Sequence, residues 1–135
     1  MRVLFWFCDA FQTVPTIQTL PDAPTAHTLC AARAVVAFVH VEPQDTDGAS
    51  SAETKLVKNA KWLARKWSVT DIVLHSFTHL GEAKSPPEAA FKLLSDAAQR
   101  LRSAGYQASL TPYGYFHDLE MRAPGHPLAR IYKEF

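Results

Sequence analysis

The sequence predicts an α/β (α+β) fold, a mixed β-sheet with two helices on one face. Three observations predict it. The apolar, β-prone runs Val3-Leu4-Phe5-Trp6-Phe7 and Val35-Val36-Ala37-Phe38-Val39-His40-Val41 read as strands. Two later stretches repeat apolar residues at helical spacing. Short strand-like segments alternate with those stretches, so each helix can pack on one sheet. The 135 residues contain no internal repeat, low-complexity segment or linker, and they read as one domain, residues 1–135.

The elements follow in order. The first strand runs from Arg2 to Cys8, is almost wholly apolar, and is expected to be buried on both faces, with Asp9 ending it. Residues 12–28 hold Pro15, Pro21 and Pro24 among polar side chains, and proline removes a ladder donor, so an irregular loop or edge segment is expected. The second strand spans Val35 to Val41 and is closed by Glu42-Pro43, with a polar loop over residues 44–51. Ser50 and Glu53 have the spacing of a capping box, and Leu56, Val57, Ala60, Leu63, Ala64 and Trp67 form the buried stripe of the helix that follows. Asp71 to His75 is a short strand. Ser85 is the expected cap of the second helix, with Pro86 at its first position and Glu88 completing a box. Its inner face is Ala90, Phe91, Leu94, Ala97, Ala98 and Leu101, and Gly105 suits its stop. Tyr106 to Leu110 and Tyr113 to Met121 read as the last two strands.

Composition excludes several classes. No apolar run approaches the ~20 residues of a membrane helix, and the N-terminal apolar run is too short for a signal peptide, so a cytoplasmic protein is expected, with no membrane partner. Fourteen Lys and Arg balance 13 Asp and Glu, against a broad nucleic-acid platform and against DNA as a partner, though not against one RNA end. Cys8 and Cys30 form neither a disulfide framework nor a zinc pattern. Glycine-rich phosphate loop, GxSxG, HExxH and CxxC patterns are all missing.

Two clusters carry candidate chemistry. Leu74-His75-Ser76-Phe77-Thr78-His79-Leu80-Gly81 follows a strand, where ligands of such sheets sit. His75 and His79 are either structural strand-end histidines or site residues. Thr111-Pro112-Tyr113-Gly114-Tyr115-Phe116-His117-Asp118 offers aromatics on which a base can stack, a glycine that permits close approach, and an imidazole that exchanges protons near neutrality. The same pattern also fits an aromatic strand packed on the core. Gly125-His126-Pro127 reads as a turn. The lysines of the first helix are a solvated face or a strip for RNA phosphates.

Together these segments resemble the editing domain at the N-terminus of archaeal threonyl-tRNA synthetases, a fold related to D-aminoacyl-tRNA deacylases. The residues carrying the resemblance are Met1-Arg2-Val3-Leu4 with Asp9, Val36 to Glu42, Ser76-Phe77-Thr78-His79-Leu80 with Ala83-Lys84, and Pro112-Tyr113-Gly114-Tyr115 leading to Gly125-His126-Pro127-Leu128-Ala129. The resemblance implies hydrolysis of the ester between a mischarged amino acid and the 3′-terminal adenosine of tRNA, with no metal or cofactor. It implies His79 as an active-site histidine, and Val41, Ser76, Thr78, Tyr113 and Gly114 as pocket positions. The neighbouring Tyr115, Phe116 and Arg130 are further substrate-binding candidates. His117 stands where the family typically has a catalytic lysine, Phe116 where it has a tyrosine, and Arg130 where it has a glutamate. An arginine there is expected to repel a substrate ammonium. The expected activity is therefore a deacylase acting in trans, with His79 and His117 as its catalytic candidates. Its expected partners are the CCA end of tRNA, a second copy in a homodimer, and a synthetase in trans. A binding module for an adenosine-like or aminoacyl-RNA ligand, without catalysis, is the alternative, and a small-molecule hydrolase is the third reading.

Overall fold

A computed structural model describes residues 1–135. The strands are β1 (Arg2–Gln18), β2 (Leu29–His40), β3 (Asp71–Ser76), β4 (Gln107–Leu110), β5 (Tyr115–Arg122) and β6 (Arg130–Glu134); the helices are α1 (Ala52–Trp67) and α2 (Pro87–Ser103). The sheet order is β4-β3-β2-β1-β5, with β6 also paired to β1. β2 runs antiparallel to β1 and parallel to β3, which is parallel to β4. A parallel pair needs a crossover, and α1 and α2 supply both. The other edge of β1 is shared end to end: β6 pairs along Arg2–Trp6, and β5 from Ala10 to Gln18.

Strand alternation sorts the core. Val3, Phe5, Val35, Ala37, Val39, Ile72 and Leu74 face the inner stripes of both helices. Cys8, Phe11, Ala34, Val36, Phe38 and Val73 form a smaller apolar cluster on the opposite face, ringed by half-buried Leu4, Trp6, Leu29 and Met121. The expected mixed sheet with helices on one face is the architecture observed. Neither helix is long and apolar enough to cross a membrane.

Several boundaries differ from expectation, each for a physical reason. β1 continues past Asp9, whose carboxylate stays in solvent 3.9 Å from Arg33, so the strand buries no charge there. Pro15 lies inside β1 at a register shift between Pro15 and Gln18, where a missing ladder donor is tolerated. The irregular segment is thus confined to residues 19–28, and β2 starts at Leu29 rather than Val35, with Cys30 exposed on it. A 3-10 turn, Pro43–Thr46, interrupts the polar loop. Neither expected capping box forms. Glu53 pairs instead with Arg100 of α2 at 3.0 Å, tying the helices together. Ser85 is buried, with its hydroxyl 3.3 Å from that of Thr46, and Pro86 caps α2 without a side-chain bond. On α2, Leu93 is buried, whereas Phe91 remains 40% exposed. β6 was not expected, because Arg130–Glu134 shows little apolar character.

The start of β1 is pinned from three sides. The buried Met1 ammonium donates to Glu42 at 2.9 Å and Asp45 at 2.8 Å, while Phe135 N–H donates to the Met1 carbonyl. Salt bridges to both carboxylates hold the turn that follows Val41 against the sheet.

Candidate functional site

A cleft of about 420 Å³ opens where β2, β3 and β4 end, at Val41, Ser76 and Thr111. The start of α2 and the Tyr113–His117 segment form its other walls. Parallel strands ending side by side leave such a crevice because the chain must turn away from each into its crossover.

The Phe77–Lys84 loop is held from beneath by His40. This fully buried imidazole donates from Nε2 to the Ala83 carbonyl at 2.7 Å and accepts at Nδ1 from the Leu80 N–H at 3.1 Å. It therefore sits as a neutral ring in one fixed tautomer. Phe77 N–H is engaged by the Val39 carbonyl at 2.9 Å. The N–H groups of Thr78 and His79, between those two anchors, make no hydrogen bond within the chain. His79 itself is exposed at the mouth of the cleft, edge to face with Phe77 at 5.0 Å between ring centroids.

Deeper in, His75 is 5% exposed and its Nδ1 lies 2.9 Å from the Thr111 hydroxyl. Burial, reinforced by the neighbouring His117, pushes its pKa down to about 4. The two rings meet edge to face with centroids 5.3 Å apart. His117 donates from Nε2 to the Pro112 carbonyl at 2.9 Å, which places its lone pair on Nδ1 in the neutral ring. That Nδ1 is buried without a partner.

Gly114 has φ +90°, and a Cβ there would stand 2.9 Å from the Ala23 Cβ. Its carbonyl accepts from Thr19 N–H at 2.7 Å, and the Tyr115 hydroxyl donates to the Pro24 carbonyl. The close approach that glycine permits is thus made by the protein's own 19–24 segment. Tyr113 packs on Phe91 at 5.1 Å between ring centroids, and burial raises its phenol pKa, partly offset by the neighbouring Ser76.

Of the residues singled out in the sequence, Val41, Ser76, Thr78, His79, Tyr113, Gly114, Tyr115, Phe116 and His117 line this cleft. Arg130 does not. β6 sets it opposite Trp6, with its guanidinium 5.7 Å from that ring and a 2.7 Å bond to the Pro124 carbonyl, so the expected repulsion of an ammonium has no geometry to act through. Gly125-His126-Pro127 is the turn it appeared to be. His126 Nδ1 accepts from Leu128 N–H at 3.0 Å, and Trp67 Nε1 donates to the Leu128 carbonyl at 2.9 Å. Residues missed as site components are His40, Thr111 and Lys84, the fixed cation of the lining. A histidine closing a β-branched run was the readable signal for His40. His, Cys, Asp and Glu side chains nowhere gather in threes that could hold a metal. Burial pushes the Cys8 thiol up to about 11, which makes it inert.

Fold and cleft together define the class: a mixed α/β module with a ligand-sized crevice at its strand ends. Comparison with known proteins sharpens this. The chain belongs to the family described as the archaea-specific editing domain of threonyl-tRNA synthetase, whose model matches residues 1–135. Among similar proteins is the threonine–tRNA ligase of Methanocaldococcus jannaschii, 29% identical over 94 residues, which are 70% of this chain and 15% of that protein. That of Hyperthermus butylicus is 25% identical over 142 residues, covering 100% of this chain and 23% of the relative. The chain therefore spans less than a quarter of the curated relatives it matches. A solved structure, the c-Myc DNA Unwinding Element Binding Protein, superposes with TM-score 0.68 at 14% identity, covering 100% of this chain and 99% of that one, which shows a shared fold.

Proposed function

We propose that the protein is an aminoacyl-tRNA deacylase that acts in trans, cleaving the ester between a mischarged amino acid and the 3′-terminal adenosine of tRNA. Family membership supports an editing role. The observation that carries the hydrolytic reading is the convergence in one cleft of donors without acceptors, the Thr78 and His79 amides, and an acceptor without a donor, His117 Nδ1. An unpaired buried acceptor costs about 1–3 kcal/mol, which a hydroxyl or water donating to it recovers.

Ester hydrolysis needs a held water, a proton acceptor and donors for the oxyanion. His79, open to solvent at the cleft mouth, takes the proton as the water oxygen bonds to the ester carbon. The Thr78 and His79 amides meet the oxyanion that forms. His117 Nδ1 holds the water or a ribose hydroxyl in register, in a tautomer that the Pro112 carbonyl enforces. Collapse of the tetrahedral adduct breaks the bond to the ribose oxygen, which leaves with a proton returned by His79. Tyr113 offers the stacking surface for adenine. The homodimer belongs to this proposal, and the apolar face around Trp6 and Met121, on the side of the sheet away from the helices, supports it.

The test is a deacylation screen at micromolar protein over amino acid, chirality and tRNA. Turnover of at least one mischarged species is expected. His79→Ala is expected to lower kcat/KM about 100-fold, and His117→Ala about tenfold, the value of one positioned hydrogen bond. A panel left intact overturns the reading; binding without turnover would favour the non-catalytic module, and cleavage of simple esters without tRNA the small-molecule hydrolase. Light scattering that shows only monomer overturns the dimer.

A further inference from the structure

Beside the cleft runs a groove of about 370 Å³ between the 20–24 segment and the first turn of α2. The two share Leu20, Pro87 and Tyr113 as a common wall. Three features distinguish the groove. Phe91 presents an aromatic ring at 40% exposure from a helix position whose spacing would have buried it. Its ring leans on Tyr113, so the stacking surface continues from the cleft into the groove. Asp22 and Glu88 line the groove as carboxylates without a cationic partner. The wall is also stiff: Gln18 Nε2 donates to the Leu20 carbonyl at 2.8 Å, Gly114 holds Thr19, Tyr115 holds Pro24, and prolines border both sides. A preformed wall spares the ordering cost of binding.

An adenosine that ends a nucleotide chain must send its 5′ phosphate out of the cleft. We propose that the groove is a subsite for the nucleotide preceding the terminal adenosine, and that it selects cytosine. This rests on the tRNA-end reading above and names a second site for the same ligand. The base stacks on Phe91. Its exocyclic amine, a donor, meets the Asp22 and Glu88 carboxylates, which are acceptors only. Uracil presents a carbonyl oxygen at that position, so the same carboxylates oppose it. Lys84, the fixed cation of the neighbouring cleft, suits the phosphate between the two nucleosides.

The experiment measures, by calorimetry, the affinity of adenosine carrying an amide-linked 3′ aminoacyl group. The same ligand is then extended on its 5′ side by an abasic nucleotide, by C or by U. In the unaltered protein, C is expected to tighten binding about tenfold beyond the abasic extension, and U to add less than threefold. Phe91→Ala is expected to erase the gain from C while leaving the unextended ligand within twofold. The double change Asp22→Asn with Glu88→Gln is expected to level C and U. Equal affinity of the C and abasic ligands overturns the subsite, as does a Phe91→Ala loss shared equally by the short and extended ligands. U binding as tightly as C overturns the selection. If the unextended ligand does not bind at all, the tRNA-end reading fails and the subsite falls with it. The ligand series alone, in the unaltered protein, decides the matter if a variant misfolds.

Discussion

His117 and His126 each bond one ring nitrogen within the chain and contact an aromatic neighbour, yet their other nitrogens meet opposite surroundings. His126 is exposed and spends Nδ1 on the Leu128 N–H, with Nε2 left to solvent, while its ring sits edge-on to Trp67, which stacks on Phe7 at 3.9 Å and bonds Leu128. His117 spends Nε2 on Pro112 and leaves Nδ1 unmatched in the wall of a cleft. The two histidines therefore divide into a clamp, which closes β1 against the end of α1, and a site. Burial of the unpaired nitrogen separates them, since an exposed nitrogen meets water whereas buried polar groups in a settled core are paired.

The largest effect that sharpens this division is on the clamp. Trp67→Ala removes the stack on Phe7 and the bond to Leu128, and is expected to cost about 4 kcal/mol in urea unfolding. Affinity for the adenosine amide should stay within twofold in the protein that remains folded. A parallel loss of affinity at a temperature where the variant is native would break the separation of clamp from site.

Next comes acid. Burial, with His117 adding to it, holds His75 neutral in the fold down to a pKa of about 4, while in the unfolded chain it titrates near 6.5. The unfolded state therefore binds the proton first as pH falls. Stability is fully present above about pH 6.5 and is lost as pH drops toward 4, by up to about 3 kcal/mol. His75→Phe, whose ring fits among Phe38 and Phe77, is expected to flatten that slope in urea titrations across this window. Trp67→Ala should lower the whole curve without altering its slope. An unchanged slope in His75→Phe would mean that other groups carry the acid loss.

Much of this was legible in the sequence because it rests on local pattern. The β-branched run at 35–41 and the helical stripes of α1 and α2 locate most of the core, and the cleft gathers almost every site residue read from the strand-end clusters. What escaped depends on distant pairing. β6 exists only because Arg2–Trp6 offers it a free edge, and its own residues have no apolar run. Pro15 signals a strand end locally, but the register shift beside it absorbs the missing donor. Ser85 and Glu53 have capping spacing, but Thr46 and Arg100, far away in sequence, take their side chains. Arg130 was placed in the site by its neighbours along the chain and removed from it by its partner across the sheet.

That removal yields the smallest expected effect and the one that probes the division most directly. Arg130 is exposed, over Trp6, on the sheet face away from the helices, and its charge is screened over a Debye length of about 8 Å at physiological salt. Arg130→Glu should therefore leave the ratio of rates on substrates with free and acetylated α-amines within twofold, with a stability change within about 0.5–1 kcal/mol. Lys84→Ala, which takes the fixed cation out of the cleft lining, should move that ratio toward the free amine by more than Arg130→Glu does. If Arg130→Glu instead shifts the ratio fivefold or more, its guanidinium must reach a cleft, and within this fold only the cleft of a second copy docked on the Trp6 face lies open to it. The Trp6 face of the sheet would then be part of the site in the dimer, and the contrast between His117 and His126 would hold only within one chain.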